Sequence, residues 1–515
     1  MNDKPIRLPV QSAIAFPLFA TLAAGLVLLP LVLNVHVLEY DEAIMMDVAR
    51  NIQRMGLPLR SLGETGVFYF DHTFLYVYLL SLYAGASEAS ILIARLVTTA
   101  LGVGCVWLTY WIGARLRDPV AGFVAALLLA INPFFAVLAF QIHREIPLLV
   151  ALLAGLFLLL SPGVASRWAR FWGAGIALGT AILIKEIAIL FVGWAAIFLM
   201  LRCRRDRQPI FTPMIGLLMP NLIGLGFWGA WAWKLSPSAF AGTMNRWLNS
   251  MAAVNLLDPR AQIGAVQWGQ RLTFDLFGPA LVIGLVACLL IQANRLRSQN
   301  LIQRRFRLEY IFLWGYLFSA IIISFGVRLK EPRHLIGVLP VACLLIGTSV
   351  DWAAWSGRVW RSRGKWRKII FGLAIVFFLL SASPLRWPAG PIMNIASWLD
   401  PIYGWRILEN DRFYNVLRLA GRYLHETTDP TDVITVAHQA TVTAYYADRR
   451  YQMLYTQRSD GIARTLEQTK YLIWDDEDFQ ALTRVEVEAL RNDIQRRFSL
   501  AAVIRDANRS VTLYR

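Results

Sequence analysis

Two carboxylates stand side by side at Asp41 and Glu42, shortly after an apolar run, Ser12 to Leu33, of membrane-spanning length. A further acid, Glu145, sits in the turn His143-Arg144-Glu145-Ile146-Pro147, and the pair Lys185-Glu186 interrupts another apolar stretch. The turn Arg328 to His334 places Arg328, Lys330, Arg333 and His334 around Glu331. Asp71 and His72 complete the polar set. A carboxylate can take the proton from an attacking hydroxyl. Clustered cations suit a phosphate that gains charge as it departs. These residue types fit transfer of a group from a phosphate to a hydroxyl, provided the fold brings the turns together.

Each feature also has an ordinary explanation. Asp41 precedes a helical pattern (Ile44, Val48, Ile52, Met55) that stops at Gly56 and Pro58, and an N-cap there is worth about 1 kcal/mol. Glu42 in the first turn favours the helix dipole. Asp47 and Arg50 form an i,i+3 pair of the kind that supports a helix locally. Gln141 to Pro147 reads equally as a polar turn. Lys185 is harder to dismiss, because so short an apex between apolar runs leaves little room to snorkel, and a charge drawn inward needs a partner. For Arg328 to His334, Glu331 or lipid headgroups are the plain partners and a substrate phosphate the sharper one.

The elements that must position these residues are membrane helices. The chain has 515 residues, 57% hydrophobic and only 17% charged, too little polar surface for a soluble protein of this size. The net charge of +17 is not a nucleic-acid footprint. From Arg386 to Arg515 there are 17 Lys/Arg against 17 Asp/Glu, so the tail is neutral. The excess lies in short loops, Arg202 to Arg207, Arg295 to Arg307 and Arg358 to Lys368, as on the cytoplasmic side of a multi-pass protein. Eleven spans are expected, over 12–33, 90–114, 119–140, 146–161, 171–184, 187–201, 210–231, 274–292, 309–327, 335–350 and 369–384. With the N-terminus inside, five basic turns fall in the cytoplasm and the acid-bearing turns fall outside. Thr73 to Gly85 is too short to span and reads as an interfacial or re-entrant helix.

Two domains are expected: a membrane domain over 1–384 and an extracytoplasmic α/β domain over 385–515. Short β-branched or aromatic runs at 433–437, 471–474 and 510–514 read as strands. Asn410 to His425 and Asp478 to Phe498 read as helices. Lys234 to Asp275, with Trp247 and Trp268, reads as an outer loop facing the acceptor. Cys105, Cys203, Cys288 and Cys343 form no disulfide framework and are expected as small buried hydrophobes. There is no P-loop, no paired C-x-x-C and no H-E-x-x-H, which disfavours nucleotide-driven transport and zinc hydrolysis.

The Asp-Glu pair after the first span, the H-R-E-x-P turn after the third and the later I-K-E turn together resemble the GT-C membrane glycosyltransferases, in particular the protein O-mannosyltransferase and lipid A aminoarabinose transferase superfamily. The resemblance covers roughly residues 10–350. It implies a mainly helical polytopic bundle and a sugar donor carried on polyprenyl phosphate. The acceptor would be a lipid, glycan or protein hydroxyl, and the reaction would run at the outer face of the plasma membrane with inversion. On this resemblance Asp41 is the general base, with Glu42 beside it, and Glu145 orients the acceptor or a base partner. Lys185, Arg333 and His334 hold the donor phosphate, with Arg328 and Lys330 in an outer ring. Asp71, His72, His143 and Arg144 are weaker substrate contacts. No cofactor is required, and a divalent metal is allowed by the resemblance but not indicated by the sequence. The stretch Phe70 to Phe74 departs from the aminoarabinose transferases, lacking their Lys and both prolines. The rival readings are a lipid-linked substrate transporter or flippase, and a non-catalytic envelope assembly protein. The first would place ionisable residues or broken helices near the membrane midplane.

Overall fold

The computed structural model describes residues 17–22, 24–25, 37–63, 66–70, 72–83, 88–160, 167–251, 265–298, 308–326, 331–349, 403–436, 441–454, 465–467, 469–475, 484–506 and 509–515. The chain divides into two compact units, one of Met1–Leu31 with Val97–Gly404, the other of Val32–Leu96 with Trp405–Arg515. The expected domain boundary at 384/385, like the expected span 369–384 and most of 12–33, lies outside the described residues.

The first unit is a helical bundle. Four helices are long and apolar enough to cross a membrane, Ala89–Leu116, Glu186–Arg205, Phe211–Leu235 and Leu308–Phe325, and Glu145–Leu160, Trp168–Ile184, Leu281–Gln292 and Val338–Ser349 are shorter apolar helices. The stretch expected as one span over 119–140 is broken. Pro119–Ala130 and Phe134–Phe140 meet at 71°. The cause is local: Asn132 accepts a hydrogen bond from the Phe135 N–H at 2.9 Å, as an N-cap does, and Pro133 follows at the first helical position. Asp118-Pro119 starts the preceding helix in the same way, with Asp118 accepting from the Ala121 N–H at 2.8 Å. All four cysteines are buried free thiols.

Within the interval expected as an outer loop, Lys234 to Asp275, the described residues include the helices Pro237–Met251 and Ala265–Arg271. Trp268 is buried and its indole N–H donates to Ser324 Oγ at 3.0 Å, so it packs the bundle rather than presenting a surface to an acceptor.

Small residues let the helices carrying the polar turns approach closely. Arg167–Ile184 packs against both Glu145–Leu160 and Phe211–Leu235. A Cβ at Gly175 would overlap the backbone oxygens of Gly216 and Leu217. Lipid provides no hydrophobic drive between helices, so such backbone proximity is what holds them. Gly175→Ala is therefore expected to lower the thermal stability of the purified protein, by the about 1–3 kcal/mol that overpacking typically costs. Gly193→Ala, where a Cβ meets nothing within 4 Å, is the control that should leave the melting curve in place.

The second unit joins an early segment to the C-terminal one. Its sheet has five strands in the order β4-β3-β5-β7-β6. Strands β3 (Val433–Val436), β4 (Arg450–Met453) and β5 (Tyr471–Trp474) are parallel, while β7 (Arg509–Tyr514) runs antiparallel to both β5 and β6 (Leu500–Asp506). β3, β5 and β7 match the strands expected from sequence; β4 and β6 were not anticipated. Both lie at sheet edges: β4, Arg-Tyr-Gln-Met, has no β-branched residue, and β6 confines its β-branched pair, Val503-Ile504, to a largely exposed run that ends in Arg505-Asp506. The helix Tyr403–Thr427 precedes the sheet in sequence, and Arg484–Arg497 lies between β5 and β6. The early segment contributes the helix Tyr40–Met55, a hairpin of β1 (Leu59–Arg60) with β2 (Val67–Phe68), and the seven-residue helix Leu75–Ser81, far too short to span.

Candidate active site

In the first unit, turns far apart in sequence converge. Glu145 opens the helix Glu145–Leu160, where a carboxylate complements the N-terminal dipole, and Pro147 sits in the first turn, where its missing N–H costs nothing. Lys185 ends the helix Arg167–Ile184 and leads into a 3₁₀ turn, Glu186–Ala188, before Ile189–Arg205. The two side chains meet: Lys185 Nζ donates to Glu145 Oε1 at 2.6 Å, and both are buried to within 4% exposure. Glu145 Oε2 is buried without a hydrogen-bond partner among the described residues, 4.0 Å from His143 Nδ1. Arg144 is buried beside it, and both Arg144 and Arg333 act electrostatically on Glu145 and Lys185. Arg333 comes from the short helix Pro332–Leu335 and donates from Nε to Glu331 Oε2 at 2.5 Å. His334 Nε2 lies 3.8 Å from the same oxygen.

The cluster carries three basic groups, Lys185, Arg144 and Arg333, against the carboxylates of Glu145 and Glu331. Burial, together with the two arginines, pulls the Lys185 ammonium below its ordinary range against the opposing pull of Glu145. Such a site gains from an added anion. Arg328 and Lys330 lie outside the described residues.

In the second unit, the three acids of the first turn and its neighbourhood have different fates. The helix starts at Tyr40 with Glu39 at the N-cap, so Asp41 is not the cap the ordinary reading made it but a first-turn residue. Glu42 reaches back to the Glu39 N–H at 2.8 Å and pairs with Arg95 at 2.8 Å, both side chains being 1% exposed. Arg95 also donates to the Val37 carbonyl. Glu42, expected beside Asp41 in the chemistry, thus holds the helix start in place. Asp47 accepts from Arg50 at 2.8 Å and from the N–H and hydroxyl of Ser61, both at 2.7 Å. Its pairing with Arg50 is the local support that the spacing suggested. Asp41 is half-buried, and is the one of these three acids whose side chain is not enclosed. His72 is half-buried in the same unit, and Asp71 lies outside the described residues.

Sequence reading missed Asp448 and Tyr445. Asp448 pairs with Arg50 and Arg54, each at 2.8 Å. Burial alone would raise its carboxyl pKa, but the hydrogen bond from Arg54 and the two positive charges outweigh it and hold the group below the ordinary carboxylate range. Tyr445, over whose ring Arg50 lies at 4.9 Å, has its phenol pushed up to about 12 by burial. Nothing in a sequence pairs residues 394 positions apart. The donor set is carboxylates interleaved with guanidinium and ammonium groups, and no group of acids, histidines or cysteines among the described residues has the spacing to hold a metal ion.

Comparison with known proteins gives the family context. Residues 71–254 match the model of the dolichyl-phosphate-mannose-protein mannosyltransferase family. The fold resembles the crystal structure of ArnT from Cupriavidus metallidurans bound to undecaprenyl phosphate, with a TM-score of 0.60, 14% identity and coverage of 98% of both chains. It also resembles the archaeal oligosaccharyltransferase AglB from Archaeoglobus fulgidus, in complex with an inhibitory peptide and a dolichol-phosphate, with a TM-score of 0.58, 13% identity, and coverage of 90% of this chain and 69% of that one. No curated protein sequence matches the chain. At such identities the structural likeness is one of fold. Together with the family model it bears out the resemblance to polyprenyl-phosphate-dependent glycosyltransferases of GT-C type.

Proposed function

We propose that this GT-C-type membrane glycosyltransferase moves a sugar from a polyprenyl-phosphate donor to an acceptor hydroxyl at the outer face of the plasma membrane. The observation that carries the reading is the buried Glu145–Lys185 pair, surrounded by Arg144 and Arg333, in a helical unit of this fold. A cluster with excess positive charge and poor solvation suits a phosphate whose negative charge grows as the glycosidic bond breaks. Lys185 and Arg333 hold that phosphate, and His334 and Arg144 lie around it. The unpartnered oxygen of Glu145 accepts a hydrogen bond from a substrate hydroxyl and orients it.

Asp41 serves as general base. The acceptor oxygen attacks the anomeric carbon as its proton passes to the Asp41 carboxylate. The bond from that carbon to the phosphate oxygen breaks, and its electron pair stays with the polyprenyl phosphate. A single displacement of this kind inverts the anomeric centre. The partial exposure of Asp41, beside the enclosed Glu42 and Asp47, supports giving it this role. The basic loops support an inside N-terminus and an outside C-terminal segment.

The test is mass spectrometry of envelope glycolipids and glycoproteins from a deletion strain. The expected result is one sugar modification lost and its unmodified acceptor accumulated, with the wild-type gene restoring both. An unchanged glycan profile in the deletion strain removes the transferase reading.

A further inference from the structure

The helix that bears Asp41 is anchored at its other end to the C-terminal segment by contacts that chain connectivity does not require. Arg54 donates from Nη1 and Nη2 to the two oxygens of Asp448, at 2.9 and 2.8 Å. Arg50 reaches the same carboxylate at 2.8 Å and the Tyr445 carbonyl at 3.1 Å. Asp47 and Asn51, on the same helix, hold Ser61: Asn51 Nδ2 donates to the Ser61 hydroxyl and to the Leu59 carbonyl, each at 2.8 Å. The chain around Ser61 then extends the sheet beyond β4. Tyr451 N–H donates to the Ser61 carbonyl at 2.9 Å and Gly63 N–H to the Tyr451 carbonyl at 2.7 Å. Helix and hairpin are thus fixed to β4 and to the helix Thr441–Ala447 that precedes it.

Asp448 is the centre of this arrangement, and its backbone shows what that requires. Its φ is +53°, in the left-handed region where glycine or asparagine would sit with less strain. A turn built only to reverse the chain would favour either of those. An aspartate there supplies a carboxylate to two arginines of the Asp41 helix. Arg449 next to it is buried and donates to the His425 and Thr428 carbonyls, tying the turn to the end of the helix Tyr403–Thr427. The turn is therefore a fixed point rather than a loose loop.

We infer that the C-terminal α/β segment positions the helix carrying Asp41, with Asp448 as the positioning residue through Arg50 and Arg54. The kinetic part of this rests on Asp41 being the base; the structural part does not. Asp448→Asn is a clean probe, since asparagine keeps the size and tolerates the left-handed backbone while losing the charge. In the full-length protein in detergent, hydrogen exchange of the Tyr40–Met55 amides is expected to rise about tenfold. Exchange in Glu145–Leu160 and binding of undecaprenyl phosphate, read by native mass spectrometry, should change less than twofold.

With polyprenyl-phosphate sugars extracted from the source cells as donor and their membranes as acceptor, kcat should fall about tenfold at an unchanged donor KM. Arg54→Ala should follow in the same direction, and Arg54→Lys should recover most of the rate. Unchanged Tyr40–Met55 exchange in both Asp448→Asn and Arg54→Ala overturns the inference. So does raised exchange with kcat intact in a protein that Asp41→Asn inactivates, since the contact would then be structural only. Full activity in Asp41→Asn instead overturns the assignment of the base and leaves the exchange result to decide the anchoring.

Discussion

Asp41→Asn is expected to reduce transfer by roughly 10²- to 10⁴-fold, the contribution of a positioned general base, while the protein accumulates normally. Asparagine keeps the shape and a hydrogen-bonding oxygen but cannot take up the acceptor's proton. The fold should tolerate it because Asp41 is only half-buried and the helix cap is Glu39. Binding of undecaprenyl phosphate, measured on the purified variant, should remain within twofold of wild type. Glu42→Gln makes the useful contrast. It leaves Arg95 buried without its counter-charge, so its loss should appear in stability before it appears in turnover. Wild-type rates in Asp41→Asn would end the role proposed for it.

Lys185→Ala is expected to be damaging twice over. Removing one member of a buried ion pair leaves the other charge uncompensated, at a cost of about 3–5 kcal/mol. Here Glu145 would lose its 2.6 Å partner, so the melting temperature should drop clearly. The donor phosphate would also lose a cation, and undecaprenyl phosphate binding should weaken at least tenfold. The two effects separate in the double variant Glu145→Gln/Lys185→Met, which removes both charges. Its stability should recover towards wild type while phosphate binding and transfer stay lost. A double variant that regained transfer, or a Lys185→Ala protein that bound the phosphate as well as wild type, would show the pair to be a packing device only.

How far the site was legible varies residue by residue. Lys185 stood out because a lysine at an apex between two apolar runs has nowhere to go without a partner. The sequence could not name Glu145 as that partner, since 40 residues separate them. The Asp47–Arg50 pair was legible because helix geometry alone makes i,i+3 residues neighbours. The cap was misread by two residues. Aspartate is the favoured cap type, but here Glu39 takes the position and Glu42 completes the hydrogen bonding from within the first turn. The break at Asn132-Pro133 carried a readable cap signature that the uniform apolarity around it concealed. Trp268 was expected in a loop facing the acceptor, and its burial against Ser324, 56 residues away, is a tertiary contact that the sequence does not encode.

The sequence alone determined that the chain is a helical membrane protein with acids and bases gathered in a few turns. Composition and the length of apolar runs follow directly from the cost of placing polar groups in hydrocarbon, and that cost acts on each segment independently. Only the tertiary structure decided which charges meet. Glu145 finds Lys185, Glu42 is withdrawn onto Arg95, and Arg50 and Arg54 close on Asp448 because helix packing and strand register bring together residues from 40 to 398 positions apart. It likewise joined residues 32–96 to the C-terminal segment as one unit, a grouping no local pattern encodes. Local propensity is set by neighbours in the chain, whereas an ion pair is set by neighbours in space, and those depend on every packed surface between them.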